Sequence, residues 1–305
     1  MKIKRILLPI DLGSDNGDVI SYAFAVSRSY EAELVLLHCE SGSQMTADQK
    51  SAKLDKTLSA QIKSSDLSSL HWRSHIVATA DVEQEIIHRA ATEHADLIIM
   101  RSRRRPHRAA LLGSTTEAVC RTAPCPVLVM HSDERQPVNG LRINLKKILV
   151  AYDFSDYAEL ALNNALAFAQ EYQAELHLLH VLPPRSVNEP EIAWYPIQAE
   201  SAYHQTACRL QRAVPPEAHL WCTIKQIVTE GAVYREILKY AENNDVDLIT
   251  MGAHGAGFGM RALFGSNVDR VLRQARCPVL VARPLMPVPH GELATSDYSV
   301  TTING

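Results

Sequence analysis

The 305-residue chain has no CxxC pair, no GxxxxGK[ST] run and no stretch approaching the about 18 consecutive apolar residues of a membrane-spanning helix. The first absence removes a zinc or disulfide framework. Cys39, Cys120, Cys125, Cys208, Cys222 and Cys277 are scattered and read as small buried apolar residues in a reducing compartment. The second excludes a Walker-type phosphate site with its lysine, and Gly255-Ala-Gly257-Phe-Gly259 does not fit a GxGxxG dinucleotide fingerprint either. The third leaves no membrane segment to expect, and the apolar run before Pro9 and Asp11 is too short for a signal peptide, so the expectation is a cytoplasmic protein. Charge of one sign is also lacking: 31 Lys and Arg against 34 Asp and Glu give a net charge of −3. Without a global basic field a nucleic-acid partner is not expected, and any polyanion site must be local. With 46% apolar and 21% charged residues, the composition is that of an ordinary globular protein.

What is present is a repeat. Lys147-Ile-Leu-Val-Ala-Tyr-Asp153 restates Arg5-Ile-Leu-Leu-Pro-Ile-Asp11, and Ala174-Glu-Leu-His-Leu-Leu-His180 restates Ala32-Glu-Leu-Val-Leu-Leu-His38, both at a shift of 142 residues. Further on, Cys277-Pro-Val-Leu-Val281 restates Cys125-Pro-Val-Leu-Val129 at a shift of 152. A period this long means tandem domains, since solenoid units run to roughly 20–50 residues.

Within the second copy, short β-rich runs alternate with segments of helical period. Strands are expected at Ile148–Tyr152, Leu176–Val181, Thr223–Val228, Leu248–Met251 and Val279–Arg283. Helices are expected at Ala158–Tyr172, Ile197–Ala213, Tyr234–Asn243 and Ser266–Ala275. Such alternation predicts an α/β fold in which each domain is a Rossmann-like, roughly five-stranded parallel sheet with helices on both faces. The division expected is a first domain over 1–133, a turn-rich linker over 134–145, a second domain over 146–284 and a loose tail over 285–305.

Ligands of open parallel sheets bind beyond the carboxyl ends of the strands. At one such end lies Gly252-Ala-His-Gly255, then nine residues, then Gly265-Ser266 at the start of an amphipathic helix with Val268, Val271, Leu272 and Ala275 on one face. Glycine allows close backbone approach and a helix N-terminus offers unpaired N–H groups, so the loop is a candidate phosphate cradle, with Ser266 as a favoured N-cap. Ser266 and Asn267 can also donate to phosphate oxygens. Asp153 ends the first strand of this copy. Its carboxylate either accepts from a ligand amine or hydroxyl or closes the turn into the next helix.

The strand ending in Asp, the G-x-x-G-x9-G-[ST] loop and the following helix into Cys-Pro-Val-Leu-Val resemble the universal stress protein family, here as a tandem two-domain member, over nearly all of residues 2–284. The resemblance implies a Rossmann-like fold and ATP (or ADP or AMP) binding, with Mg, where the motif is intact. It implies that Ala151, Tyr152, Asp153 and Val181 face the adenine. Met251, Gly252, His254, Gly255, Gly265, Ser266 and Asn267 would then surround the ribose and phosphates.

The first copy departs from this pattern. Arg101-Ser-Arg-Arg104 stands where the second has Gly252-Ala-His-Gly255, the loop is one residue shorter, and only Gly113-Ser114 survives with Asp11. Each missing glycine places a Cβ where a phosphate would approach. The expectation is one nucleotide per chain, held by the second domain. Arg101, Arg103, Arg104 and Arg105, with His107 and Arg108, are read either as a solvated basic loop or as an anion site for another ligand or an acidic partner. His38 and His180 occupy matching positions and are read as structural.

No acidic pair is assignable to Mg, so the leading reading is a nucleotide-dependent regulatory stress protein with slow or no ATP hydrolysis. A nucleotide-free interaction scaffold and a genuine ATPase or nucleotidyl transferase using Asp153 and His254 are the alternatives. The last strand of each copy is expected at a sheet edge, which suggests an internal pseudo-dimer of the two domains. Homodimers and a protein partner remain open.

Overall fold

A computed structural model describes residues 2–14, 16–40, 47–62, 67–68, 70–102, 112–131, 138–139, 141–184, 195–255, 265–285 and 300–304. The chain divides into two compact units, Met1–Asn144 with Arg283–Gly305, and Leu145–Ala282.

The first unit runs β1 (Arg5–Ile10), α1 (Gly17–Tyr30), β2 (Glu33–Glu40), α2 (Ala47–Gln61), β3 (Trp72–Ala78), α3 (Val82–Thr92), β4 (Leu97–Ser102), α4 (Ser114–Thr122) and β5 (Val127–His131). A two-residue antiparallel ladder follows, β6 (Val138–Asn139) against β7 (Arg142–Ile143), within the segment expected as a linker. The second unit runs β8 (Lys147–Ala151), α5 (Asp156–Tyr172), β9 (Glu175–Leu182), α6 (Tyr195–Ala213), a 3-10 turn at Pro216–Leu220, β10 (Ile224–Glu230), α7 (Val233–Asn243), β11 (Leu248–Gly252), α8 (Ser266–Gln274) and β12 (Val279–Ala282).

In the second unit the strand order is β10-β9-β8-β11-β12, all parallel. The first unit repeats it as β3-β2-β1-β4-β5 and adds β13 (Val300–Asn304), antiparallel to β3. The tail expected to be loose therefore contains a sixth strand of this sheet. Its signal is the β-branched run Val300-Thr-Thr-Ile303, and its partner is the edge that β3 would otherwise leave unpaired.

Why the same fold arises twice is visible in repeated contacts. Asp96 Oδ2 accepts from the backbone N–H groups of Lys4 and Arg5 at 2.7 and 3.0 Å, and Asp247 Oδ2 accepts from those of Lys146 and Lys147 at 2.8 and 3.0 Å. Each aspartate pins the start of the central strand to the strand beside it. The central strands are buried on both faces: Ile6, Leu7 and Leu8 in one unit and Ile148, Leu149 and Val150 in the other are fully inaccessible. This explains why they read as continuous apolar runs.

In both units the strand order reverses between the first and fourth strands, β1/β4 and β8/β11. The crevice beyond their carboxyl ends is where a ligand can sit.

Candidate functional site

Asp153 follows β8 at this reversal. Its Oδ1 accepts from the backbone N–H of Ser155 at 3.1 Å and from its hydroxyl at 2.6 Å, while Ser155 Oγ accepts from Ala158 N–H as the N-cap of α5. The turn-closing reading of Asp153 is thus realised through one oxygen. The other, Oδ2, lies against Gly255: a Cβ built on Gly255 would stand 2.8 Å from it. The missing side chain at 255 is what allows the carboxylate to lie this close to the loop.

Gly252, the last residue of β11, has a different reason for being glycine. A Cβ there would meet the Tyr157 carbonyl carbon and Cβ at 2.7 Å and its oxygen at 2.9 Å, so the first turn of α5 packs directly on the strand backbone. Gly265 is held by a hydrogen bond from its N–H to Ala253 O at 3.3 Å. It is Gly265, not Ser266, that occupies the N-cap of α8, with φ −57° and ψ 128°, and no side chain caps the helix. The expected capping role of Ser266 is corrected accordingly: it is the first helical residue, and its exposed side chain leaves the first-turn N–H groups without a competing acceptor.

These elements enclose a cleft of about 320 Å³. Ala151, Tyr152, Asp153, Val181, Met251, Gly252, His254, Gly255, Gly265, Ser266 and Asn267, the residues singled out in the sequence, all line it. So do Ala158, Leu179, His180, Val233, Ile237 and Val268, which were not assigned to it. Val233 and Ile237 lie four apart on α7, a spacing that marks one apolar face but not what that face covers.

One end of the cleft is aromatic and the other polar. Tyr152 packs edge-on to Phe154 at 5.2 Å between ring centroids, Phe154 lies 4.9 Å from His180, and the Arg209 guanidinium sits 3.8 Å over the Phe154 ring. Burial, then the nearby Glu159 and Asp153 charges, push the Tyr152 hydroxyl above its ordinary pKa, so it remains a neutral phenol. His180 Nδ1 meets Tyr152 O at 2.7 Å, and His38 Nδ1 meets Ile10 O at 3.1 Å in the other unit. The two histidines thus tie the ends of adjacent strands. At the polar end His254 stacks edge-on against Tyr157 at 4.9 Å. An apolar slot, a carboxylate and an uncapped helix N-terminus in one cleft can hold a flat ring at one side and an anion at the other.

In the first unit Arg101 is the penultimate residue of β4, and Arg103, Arg104 and Arg105, with His107 and Arg108, lie outside the described residues. Among the described residues no group of three or more His, Cys, Asp or Glu could hold a metal ion, and no helix is long and apolar enough to cross a membrane.

The family model for the universal stress protein family matches this chain twice, over residues 2–131 and 144–283. The chain is 29% identical over 158 residues to universal stress protein MJ0577 of Methanocaldococcus jannaschii, a match spanning 47% of the chain and 98% of that protein. It is 30% identical over 176 residues to universal stress protein Rv2623 of Mycobacterium tuberculosis, covering 57% of the chain but only 56% of that relative. Among solved structures, a universal stress protein from Archaeoglobus fulgidus superposes with a TM-score of 0.65 at 24% identity, covering 93% of this chain and 99% of the other, a likeness of fold. Two family matches on the two halves of a duplicated α/β fold leave one assignment: the chain is a tandem member of the universal stress protein family.

Proposed function

We propose that the second unit binds one adenine nucleotide per chain and that the protein acts as a nucleotide-dependent regulator in the stress response, with slow or no ATP hydrolysis. The observation that carries this reading is the cleft between β8 and β11. In it eleven residues named from the motif converge on an uncapped helix N-terminus opposite a carboxylate. The fit is chemical as well as spatial. Backbone N–H groups at the start of α8 and the Asn267 side chain suit phosphate oxygens, and the Asp153 carboxylate suits a ribose hydroxyl or exocyclic amine. Glycine at 255 lets the Asp153 carboxylate approach the loop backbone, where a Cβ would stand 2.8 Å from Oδ2. Mg²⁺ would arrive on the nucleotide's phosphates and supply charge neutralisation there. Occupancy would then alter how the chain engages a second copy or a protein partner.

Isothermal titration of the full chain with ATP and Mg²⁺ tests the reading. One site per chain is expected, and ligand at 100 times its Kd adds about 2.7 kcal/mol to the stability of the second unit. Absence of binding heat would leave the scaffold reading standing. Steady phosphate release abolished by Asp153→Asn would replace the regulator with an ATPase.

A further inference from the structure

The first unit has its own cleft at the same reversal, about 600 Å³ in volume. Its polar lining differs from that of the second unit in one decisive residue. Arg101 stands at the position of Gly252, and its Nε is fully buried with no hydrogen-bond partner among the described residues.

Room for that side chain comes from the helix below it. In the second unit the Ser155 hydroxyl caps α5, whose first turn crowds Gly252. The matching residue in the first unit is Gly13, which has no hydroxyl to cap with. The start of α1 accordingly moves to Gly17, three residues later than the match of Asp156, with Asn16 at the N-cap. Ser14 and Asn16 are non-helical and line the cleft together with Arg101. Loss of one helical turn thus exchanges a packed glycine for a cleft containing a guanidinium.

A buried guanidinium nitrogen without an acceptor among the described residues is costly, and an anion meets that need. The same cleft is lined by Ser114, Thr115 and Thr116 from the first turn of α4, whose N-cap is Gly113 and which has no side-chain cap. Guanidinium, hydroxyls and helix N–H groups converge as donors suited to the three oxygens of a phosphate monoester. The remaining walls, Leu37, Val82, Ile86 and Met100, are apolar, and Asp11 repels a second negative group. We propose that the first unit binds a phosphate monoester with a compact apolar body, its phosphate held by Arg101 and the start of α4. This ligand class is distinct from the nucleotide triphosphate of the second unit.

Phenyl phosphate is the probe, added to the full chain with ¹⁵N-labelled arginine while the Arg101 Nε–H resonance is followed, assigned by its loss in Arg101→Gln. A saturable shift of that resonance is expected, with affinity at least tenfold weaker in Arg101→Gln. No shift, an equal affinity in Arg101→Gln, an equal shift with phenol, or equally tight binding of benzoate would each overturn the proposal. If Arg101→Gln disturbs the first unit, Thr115→Val carries the test with Arg101 intact, and unchanged affinity there overturns it. The readout lies in the first unit, so its failure is separable from failure of nucleotide binding in the second.

Discussion

Replacing Gly252 with alanine separates packing from ligand contact at the motif's first glycine. The added methyl would lie 2.7 Å from both the carbonyl carbon and the Cβ of Tyr157, and 2.9 Å from its oxygen. Two of those atoms are helix backbone, so no side-chain rotation relieves the contact, and either α5 or β11 must shift. Overpacking of this kind costs about 1–3 kcal/mol. That corresponds to roughly 5- to 150-fold faster exchange of amides that open with the unit. Native-state hydrogen exchange followed by mass spectrometry reads the effect locally, which suits a two-unit chain better than a single global transition. Peptides covering α5 and β11 are expected to lose protection without any nucleotide present. Unchanged protection of α5 in Gly252→Ala would refute the packing account and return Gly252 to a purely ligand-driven role.

Asp153→Asn keeps an oxygen for the Ser155 hydrogen bonds but removes the charge, so ATP affinity by titration should fall roughly 10- to 100-fold with the fold intact, in line with loss of a charged hydrogen bond. Ser155→Ala removes the α5 N-cap and should cost about 1 kcal/mol, read as loss of exchange protection at the start of α5. His75 and His177 are held below the ordinary imidazole pKa of 6.5, in each case first by burial. His75 faces Arg73, Arg89 and Glu93, and His177 faces Glu175, Tyr240 and Lys225. The folded protein keeps both neutral while the unfolded chain takes up protons, so stability is full above about pH 6.5 and declines as pH falls from there toward the depressed pKa values. Urea unfolding at pH 7.5 and 5.5 should show this loss shrinking in His75→Gln/His177→Gln, and an unchanged difference would reject it. Glu33, where bonds from Arg73 and Arg5 override burial, and Glu175, paired first with Lys225, are held below the ordinary carboxylate pKa. They add a second decline in the acid range below pH 4.5.

The cleft of the second unit was legible because its chemistry is local. The strand end at Gly252, the glycine-spaced loop and the helix start are contiguous in sequence, while Ala151, Tyr152 and Val181 came from the family resemblance, and all eleven line the cleft. What escaped came partly from elsewhere in the chain, Val233 and Ile237 from α7 and Ala158 from the first turn of α5, and partly from neighbours of assigned residues, Leu179, His180 and Val268. The N-cap was misassigned because Ser and Gly are both favoured there, and the choice rests on the Gly265 N–H reaching Ala253 O.

The sequence by itself determined the duplication, the alternation of strand and helix, and which copy keeps the glycine loop, since these are written in repeats, periodicity and short spacings. Only the tertiary structure decided why Gly252 is glycine, where Val300–Asn304 pairs, and what Arg101 faces. Each of these depends on how closely two distant segments approach. A missing hydroxyl at residue 13 matters to a side chain at residue 101 only once the sheet has brought their strands side by side.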